Sequence, residues 1–333
     1  MSEERVEQVF ETGPQAEVSI ENVHGEINFE AWDEPRVRVE ATWWGEHVRV
    51  VLWGEGNRVE ARTEIERHDD GSRGWFGRER PPKVDYLVRA PRDTHARLRN
   101  VTGPVRVGGL HGQVEVSSVD GAVELRDIEG DVYAQATNGA VFGANLTGAL
   151  HGQTTNGSIT VQGGQLASAQ AETVNGTIAI AGLIAGCQVD ARTVNGTLDL
   201  SLADGVQADV DASGLSLGVS ISGPQTAQAK GRASWRGTVG QGQPGARVTY
   251  RTVNGRLQVT GADAGAAPAA ASVQTPLPVA EVPAPAGTQS AAPAAAAAAA
   301  EAPQSVMDIL NAIERGEMTV DQALTLMGKA NPS

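Results

Sequence analysis

One short pattern in the sequence could carry nucleophilic chemistry. Residues 214–218 read G-x-S-x-G, the nucleophile-elbow pattern of hydrolases, with Ser216 at its centre. That motif requires a sharp turn between a strand and a helix. Here, alternating apolar residues continue past Ser216 to Ile221, which predicts an uninterrupted strand. We therefore expect Ser216 to be structural.

The patterns that could indicate a cofactor or metal site also lack the structural context or spacing that such sites need. Residues 240–245 read G-x-G-x-x-G, but the alternation from Arg247 to Tyr250 predicts a strand where dinucleotide binding needs a helix. The six histidines never fall at the paired spacing of zinc ligands. Cys187 is the single cysteine, which excludes an internal disulfide and is typical of a reducing compartment. The sequence thus predicts no catalytic residue, no cofactor and no metal site.

The chain is organised around a nine-residue repeat. A glycine recurs at positions 103, 112, 121, 130, 139, 148 and 157. Two residues after each glycine lies an apolar residue: Val105, Val114, Val123, Val132, Val141, Leu150 and Ile159. Apolar residues then alternate with polar ones, which is typical of short, half-buried strands. Stacked repeats of this kind share one continuous core.

The turns of this repeat favour a solenoid with two units per coil. Asp120-Gly121, Asn138-Gly139 and Asn156-Gly157 recur every 18 residues. Like turns would stack at about 4.8 Å, with the asparagines in a ladder along one edge. Asn-Gly turns also occur in hairpins, so a hairpin meander is the structural alternative. Turn geometry alone accounts for these asparagines, although a row of them could also bind a glycan or an ion. The nonapeptide calcium repeat is excluded because its paired glycines and aspartates are missing.

Composition divides the chain into four parts. Residues 1–100 form an N-terminal β region, whose tryptophans we expect to cap the stack; an aromatic platform for sugar or peptide is the alternative. Residues 101–260 form the β-strand repeat domain, residues 261–303 a disordered Ala/Pro linker, and residues 304–329 a helical hairpin. The predicted fold class is therefore all-β, with a parallel β-solenoid-like domain of about 18 residues per coil, plus linker and hairpin. The tryptophans in question are Trp32, Trp43, Trp44, Trp53 and Trp75.

The hairpin is the main candidate for binding a partner. Its two short helices cannot bury enough apolar surface to be stable alone, so a partner protein or a second copy should complete them. Folding back onto the end of the solenoid is the alternative. Trp75 and Phe76, in the charged loop at 68–82, could also contact a partner or pack back onto the sheet. The apolar stripe of the hairpin comprises Val306, Leu310, Ile313, Leu324 and Met327.

Charge and hydropathy limit the partners and the location. The net charge of −14 disfavours nucleic acid, whose phosphates would be repelled. The N-terminus lacks the apolar segment of a signal peptide, and no apolar run reaches the ~18 residues of a membrane helix. We therefore expect a cytoplasmic protein without direct membrane insertion, which a partner could still recruit to a membrane.

The Thr-Val-Asn-Gly repeats and their flanks resemble a bacterial family. Residues 10–260 are similar to adhesin-type β-strand-repeat proteins of unknown function, and residues 309–326 to a short helical-hairpin domain found with them. The resemblance implies a link to cell-envelope stress, with no catalysis and no cofactor. We interpret the chain as a non-enzymatic scaffold or stress-response partner. A glycan-binding, adhesin-like module and a carbohydrate-active β-helix enzyme are the alternatives. The matching segments are residues 85–91, 173–178, 193–198 and 248–255.

Overall fold

The computed structural model describes residues 3–44, 48–65, 82–231 and 233–261. In these ranges the chain forms nineteen β-strands and no helix, as the all-β prediction requires. The predicted linker and hairpin lie outside the described residues. So do Trp75, Phe76 and the five apolar residues of the hairpin stripe.

Nine strands belong to the N-terminal part of the chain. They are β1 (Glu3–Glu11), β2 (Glu17–His24), β3 (Ile27–Trp32), β4 (Arg36–Trp44), β5 (Val48–Glu55), β6 (Arg58–Ile65), β7 (Lys83–Pro91), β8 (His95–Thr102) and β9 (Val105–Gly108).

Ten further strands follow, several of them long enough to run through a corner of the coil. They are β10 (Val114–Asp120), β11 (Val123–Glu129), β12 (Val132–Asn138), β13 (Val141–Asn156), β14 (Ile159–Leu183), β15 (Gln188–Leu202), β16 (Val206–Ser222), β17 (Gln225–Lys230), β18 (Ser234–Val239) and β19 (Gln243–Thr260).

The repeats pair in parallel with the predicted 18-residue step. On a first ladder of strands, Val114 pairs with Val132. On a second ladder, Val123 pairs with Val141, and Val141 pairs with Ile159. Parallel pairing excludes the hairpin meander, because a hairpin joins antiparallel strands. The solenoid with 18 residues per coil is therefore confirmed.

The spatial order of the coils departs from the chain order at the C-terminal end. Leu198 of β15 pairs with Leu257 of β19, and Leu257 pairs in turn with Val219 of β16. The strand that closes the repeat series is thus inserted between two earlier coils. It occupies the place next to β15 because its Thr-Val-Asn-Gly turn matches the turn of β15, residue for residue.

The N-terminal region belongs to the same stack. β8 lies between β2 and β10 and pairs in parallel with both. Asn100 is inside β8, so the division expected at residue 100 falls within one continuous ladder. Beyond β2 and β3 the direction changes, since β5 pairs antiparallel with β6, and β4 pairs antiparallel with β7 and β1.

Alternation along each strand directs one set of side chains into the coil. Val123, Leu125 and Ile128 are fully buried in a core that is mainly aliphatic. Tyr86 and Tyr250 are the largest fully buried side chains. Each coil buries its apolar residues against the coils before and after it, so no coil completes the core alone.

The glycines of the Asn-Gly turns are required by the close approach of successive coils. A Cβ atom added to Gly139 would lie 2.0 Å from the carbonyl oxygen of Gly121. One added to Gly157 would lie 2.0 Å from the carbonyl oxygen of Gly139. Neither Gly139 nor Gly157 has a positive φ, although Asn-Gly turns often place glycine in that conformation. Positive φ occurs instead in the intervening turns, for example 118° at Gly148.

We predict that Gly139→Ala destabilises the domain by more than about 2 kcal/mol, because the new methyl group would overlap the carbonyl oxygen of Gly121. The matched control is Gly108→Ala, since a Cβ there has no neighbour closer than 3.9 Å. Urea denaturation of both variants measures the difference. Equal stability of the two variants would contradict the close-approach argument.

Candidate functional site

One corner of the solenoid carries a continuous ladder of side-chain amides. The Nδ2 of Asn156 donates to the Oδ1 of Asn138 at 3.1 Å, and the Nδ2 of Asn175 donates to the Oδ1 of Asn156 at 3.1 Å. The predicted ladder is confirmed and has six members. We call it the asparagine ladder: Asp120, Asn138, Asn156, Asn175, Asn195 and Asn254.

The asparagine ladder uses about half of its hydrogen-bonding capacity within itself. At one end, the Nδ2 of Asn138 donates to the Asp120 carboxylate at 2.9 Å. At the other end, the Nδ2 of Asn254 donates to the Oδ1 of Asn195 at 3.2 Å. Every internal amide therefore uses one donor and one acceptor within the ladder, and only the remaining donor and lone pair face solvent. The arrangement primarily holds neighbouring coils in register.

The threonine of the Thr-Val-Asn-Gly signature secures the same corner from inside. The Oγ1 of buried Thr173 donates to the carbonyl oxygen of Gly157 at 3.3 Å. In the next coil, Thr193 Oγ1 donates to Thr252 Oγ1 at 2.9 Å and lies 2.8 Å from the hydroxyl of Tyr250. The valine between threonine and asparagine points outward, and Val174 is 37% exposed. Each residue of the Thr-Val-Asn-Gly signature therefore has a structural role at this corner of the coil.

A second, shorter ladder was missed by the sequence interpretation. The Nδ2 of Asn145 donates to the Asp127 Oδ1 at 3.0 Å. Both residues have left-handed backbones, with φ of 54° and 53°, as has Gly163 in the corresponding position of the next coil. Asn, Asp and Gly are the residues that best tolerate this conformation. The 18-residue spacing of positions 127, 145 and 163 was the signal available in the sequence.

An open groove of about 380 Å³ lies near the N-terminal strands. Three of its four acidic side chains are paired: Glu40 with Arg5, Glu26 with Arg106 and Asp85 with Lys83, each at 2.7 Å. These pairs neutralise three of the four carboxylates and leave Glu3 as the fourth, so the groove offers no concentrated negative charge to a cation. The groove is lined by Glu3, Arg5, Glu26, Asn28, Glu40, Thr42, Trp44, Asp85, Tyr86 and Leu87.

The tryptophans do not form one outward-facing row. Trp43 packs against the core, while the Nε1 of Trp32 donates to the carbonyl oxygen of Arg36 at 2.8 Å. Trp44 is half-buried, with the Lys83 ammonium 5.4 Å from its ring centroid. Trp53 on β5 is 44% exposed. These four residues are therefore divided between packing and solvent, and they offer no shared platform.

The sequence motifs occupy the contexts expected of them. Ser216 lies within β16, exposed and opposite Asn254, and not on a strand-to-helix turn. Residues 240–245 lead into β19, which is a strand. The Nδ1 of His111 lies 3.9 Å from an oxygen of Asp93 on the surface. Over the described ranges, no three His, Cys, Asp or Glu residues are grouped to hold a metal ion. Nor does any helix there have the length and apolar character to span a membrane.

An outer face of the first ladder holds an aromatic and amide cluster. Tyr133 is 44% exposed, and its ring centroid lies 6.0 Å from that of His151. The Nδ1 of His151 is 3.0 Å from the Oε1 of Gln170 on the following coil. Gln135 and Gln153 are paired with each other one step further along the same strands. An exposed ring beside amide groups can contact a ligand that has both apolar and polar faces.

Comparison with known proteins gives distant structural similarity only. No protein-family model and no curated protein matches the chain. A solved "putative adhesin" from Parabacteroides merdae is 10% identical, with a TM-score of 0.41, and the match covers 77% of this chain and 95% of that one. A "putative adhesin" from Parabacteroides distasonis is 13% identical, with a TM-score of 0.38, covering 78% and 97%. A "putative lipid binding protein" from the latter species is 12% identical, with a TM-score of 0.29, covering 76% and 96%.

Cys187 provides a test of the packing. It is buried, and burial raises the pKa of its thiol to about 11. From the ordinary value of 9.0 this leaves roughly 100-fold less thiolate at pH 8. We predict that native protein reacts with a thiol reagent at least about 100-fold more slowly than urea-unfolded protein, because the thiolate is the reactive species.

The raised pKa of Cys187 also determines how the stability of the protein changes with pH. The folded state holds the Cys187 proton more tightly, so its contribution to stability is complete below pH 9 and is lost as pH rises from 9 towards 11. The Cys187→Ala variant serves as the control, because it removes the labelling signal. Native labelling at the unfolded rate would contradict the assigned burial.

Proposed function

We propose that the chain is a non-enzymatic scaffold that binds other macromolecules. The observation that carries the proposal is the asparagine ladder, since this regular polar feature of the surface bonds neighbouring coils to each other. Ser216 lies in a strand, His111 lies on an open surface and Cys187 lies in the core. An acyl-transfer site would need a nucleophile and a base within hydrogen-bond reach.

The β-domain is suited to presenting a separate binding element. Its stacked coils bond to both neighbours along their length, so it is a stiff body. The described part of this body ends at Gly261, whose N–H donates to the carbonyl oxygen of Ser222 at 2.8 Å. The segment that follows thus starts from a fixed point. In our proposal it carries the predicted hairpin at 304–329, which binds a protein partner or a second copy.

The location and the process served are part of the same proposal. We propose a cytoplasmic protein that a partner can recruit to the membrane. A role in the response to cell-envelope stress rests on the family resemblance of the Thr-Val-Asn-Gly repeats.

Leu310→Asp tests the hairpin proposal in the full-length protein. The new carboxylate would lie on the apolar stripe, where burial against a partner is costly. We expect at least a tenfold loss of binding in co-precipitation from the native host, with no change in the melting temperature of the β-domain. Asn311→Asp introduces the same residue on the polar face and should leave binding intact.

Two results would contradict this proposal. A large drop in melting temperature for Leu310→Asp would show that the hairpin caps its own solenoid. Loss of a biological phenotype in Ser216→Ala or His111→Ala, with unchanged thermal stability, would reveal an active site.

A second candidate function is glycan binding, and the Tyr133 cluster favours it. A sugar ring can stack on the exposed Tyr133 ring while its hydroxyls bond to His151 and Gln170. We predict that Tyr133→Ala weakens binding of soluble cell-wall glycan fragments about tenfold in isothermal titration calorimetry. Tyr133→Phe keeps the ring and should bind as the original chain does. Absence of binding by the original chain, or equal binding by Tyr133→Ala, would reject this candidate.

A further inference from the structure

The stack ends at the C-terminal half of β16. Along residues 217–222, β16 pairs with β19 on one side. On its other side, no strand of the described ranges pairs with this segment. The N-terminal half of β16 is different, since β18 pairs with residues 208–213 and β17 pairs with β18. We call the unpaired side of residues 217–222 the β16 edge.

The β16 edge exposes part of the apolar core. Val219 and Ile221 align with Leu257 and Val259 of β19, which are 0% and 1% exposed. Val219 and Ile221 are only partly buried, because no further coil of the described ranges covers them. Leu215, at the preceding corner, is 82% exposed. A half-covered core beside unpaired backbone groups is the expected signature of a strand-pairing surface.

At the opposite end of the solenoid, the edge strand of the second ladder is protected against such pairing. There, β1 forms the last strand of the second ladder, and five of its nine residues are charged. Charged side chains on an edge strand discourage pairing with another chain. By contrast, no charged residue occurs between Asp211 and Lys230 in the sequence. The β16 edge therefore lacks the protection that the other end has.

A second copy of the same edge fits this surface. Antiparallel pairing about a two-fold axis at Val219 would place Leu217 opposite Ile221 of the other copy, and Gly218 opposite Ser220. The apolar residues 217, 219 and 221 then remain on one face in both strands, so the two half-covered cores join. Self-complementarity of this kind is what a two-fold dimer requires.

Composition favours a second copy over the remainder of the same chain as the partner of the β16 edge. The net charge of −14 opposes association in general, but the β16 edge brings no charged side chain of its own into the contact. The residues after Gly261 begin close to Ser222, but residues 262–303 are mainly Ala and Pro. Alanine is a poor strand former, and proline cannot donate to a ladder. We propose that the β16 edge pairs antiparallel with the β16 edge of a second copy, forming a dimer.

The double variant Gly218→Glu/Ser220→Glu tests the dimer. Both positions are exposed, and a Cβ at Gly218 has no neighbour closer than 3.9 Å, so the monomer should fold normally. In the dimer, the glutamate introduced at position 218 of each copy would face the glutamate introduced at position 220 of the other. Like charges directly opposite each other destabilise strand pairing. The matched control is Thr160→Glu/Gln162→Glu, which adds the same charge to the middle of the stack.

Sedimentation equilibrium of the full chain over a range of concentrations gives the readout. We expect dimers for the original chain and the control, and at least a tenfold weaker dimer for the edge variant. A monomeric original chain would overturn the proposal; slow hydrogen exchange at residues 217–222 in that monomer would show that the chain's own C-terminal segment covers the edge.

The dimer proposal is independent of the hairpin proposal, and the two can fail separately. If Leu310→Asp dissociates the dimer while the edge variant does not, the hairpin forms the dimer and the β16 edge does not. If the edge variant dissociates the dimer while Leu310→Asp does not, the β16 edge is the dimer contact.

Discussion

The close approach of successive glycines is the constraint on which the stack depends. A Cβ at Gly176 would lie 1.8 Å from the carbonyl oxygen of Gly157, and one at Gly196 would lie 2.3 Å from that of Gly176. Side-chain hydrogen bonds depend on this spacing. The Nδ2 of Asn175 reaches Asn156 at 3.1 Å because the turns lie directly above one another. The buried threonines bond across the same corner, so backbone approach, ladder and corner form one unit.

Much of this arrangement could be predicted from the sequence, because the constraint repeats at a fixed spacing. The step of 18 residues gave the register, and Val123, Val141 and Ile159 pair as that register requires. The insertion of β19 between β15 and β16 could not be predicted in the same way. Two coils that follow β15 in the chain both alternate like strands, and the choice between them depends on contacts across about 60 residues of sequence.

The candidate sites differ in the same way: some could be predicted from local sequence patterns, and others depend on contacts between residues far apart in the sequence. The structural roles of Ser216 and residues 240–245 followed from local alternation, since a strand cannot supply the turn that either motif needs. The Tyr133 cluster and the N-terminal groove were missed, because both arise from cross-coil pairing. Tyr133 and His151 meet only after an 18-residue step places them on neighbouring strands. Glu26 and Arg106 are 80 residues apart in sequence and 2.7 Å apart in the fold.

Each coil inside the stack is covered by a neighbouring coil on both sides, whereas each end coil leaves one side uncovered. At the N-terminal end, β4 and β1 run antiparallel to the coils, and their charged side chains form ion pairs such as Arg5 with Glu40 at 2.7 Å. Those charges satisfy each other within the chain and also repel other edges. At the C-terminal end the hairpin of β17 and β18 covers one ladder only. Because exposed aliphatic residues are costly in water and unpaired backbone groups can pair with another strand, the uncovered ladder is where association with another chain gains most.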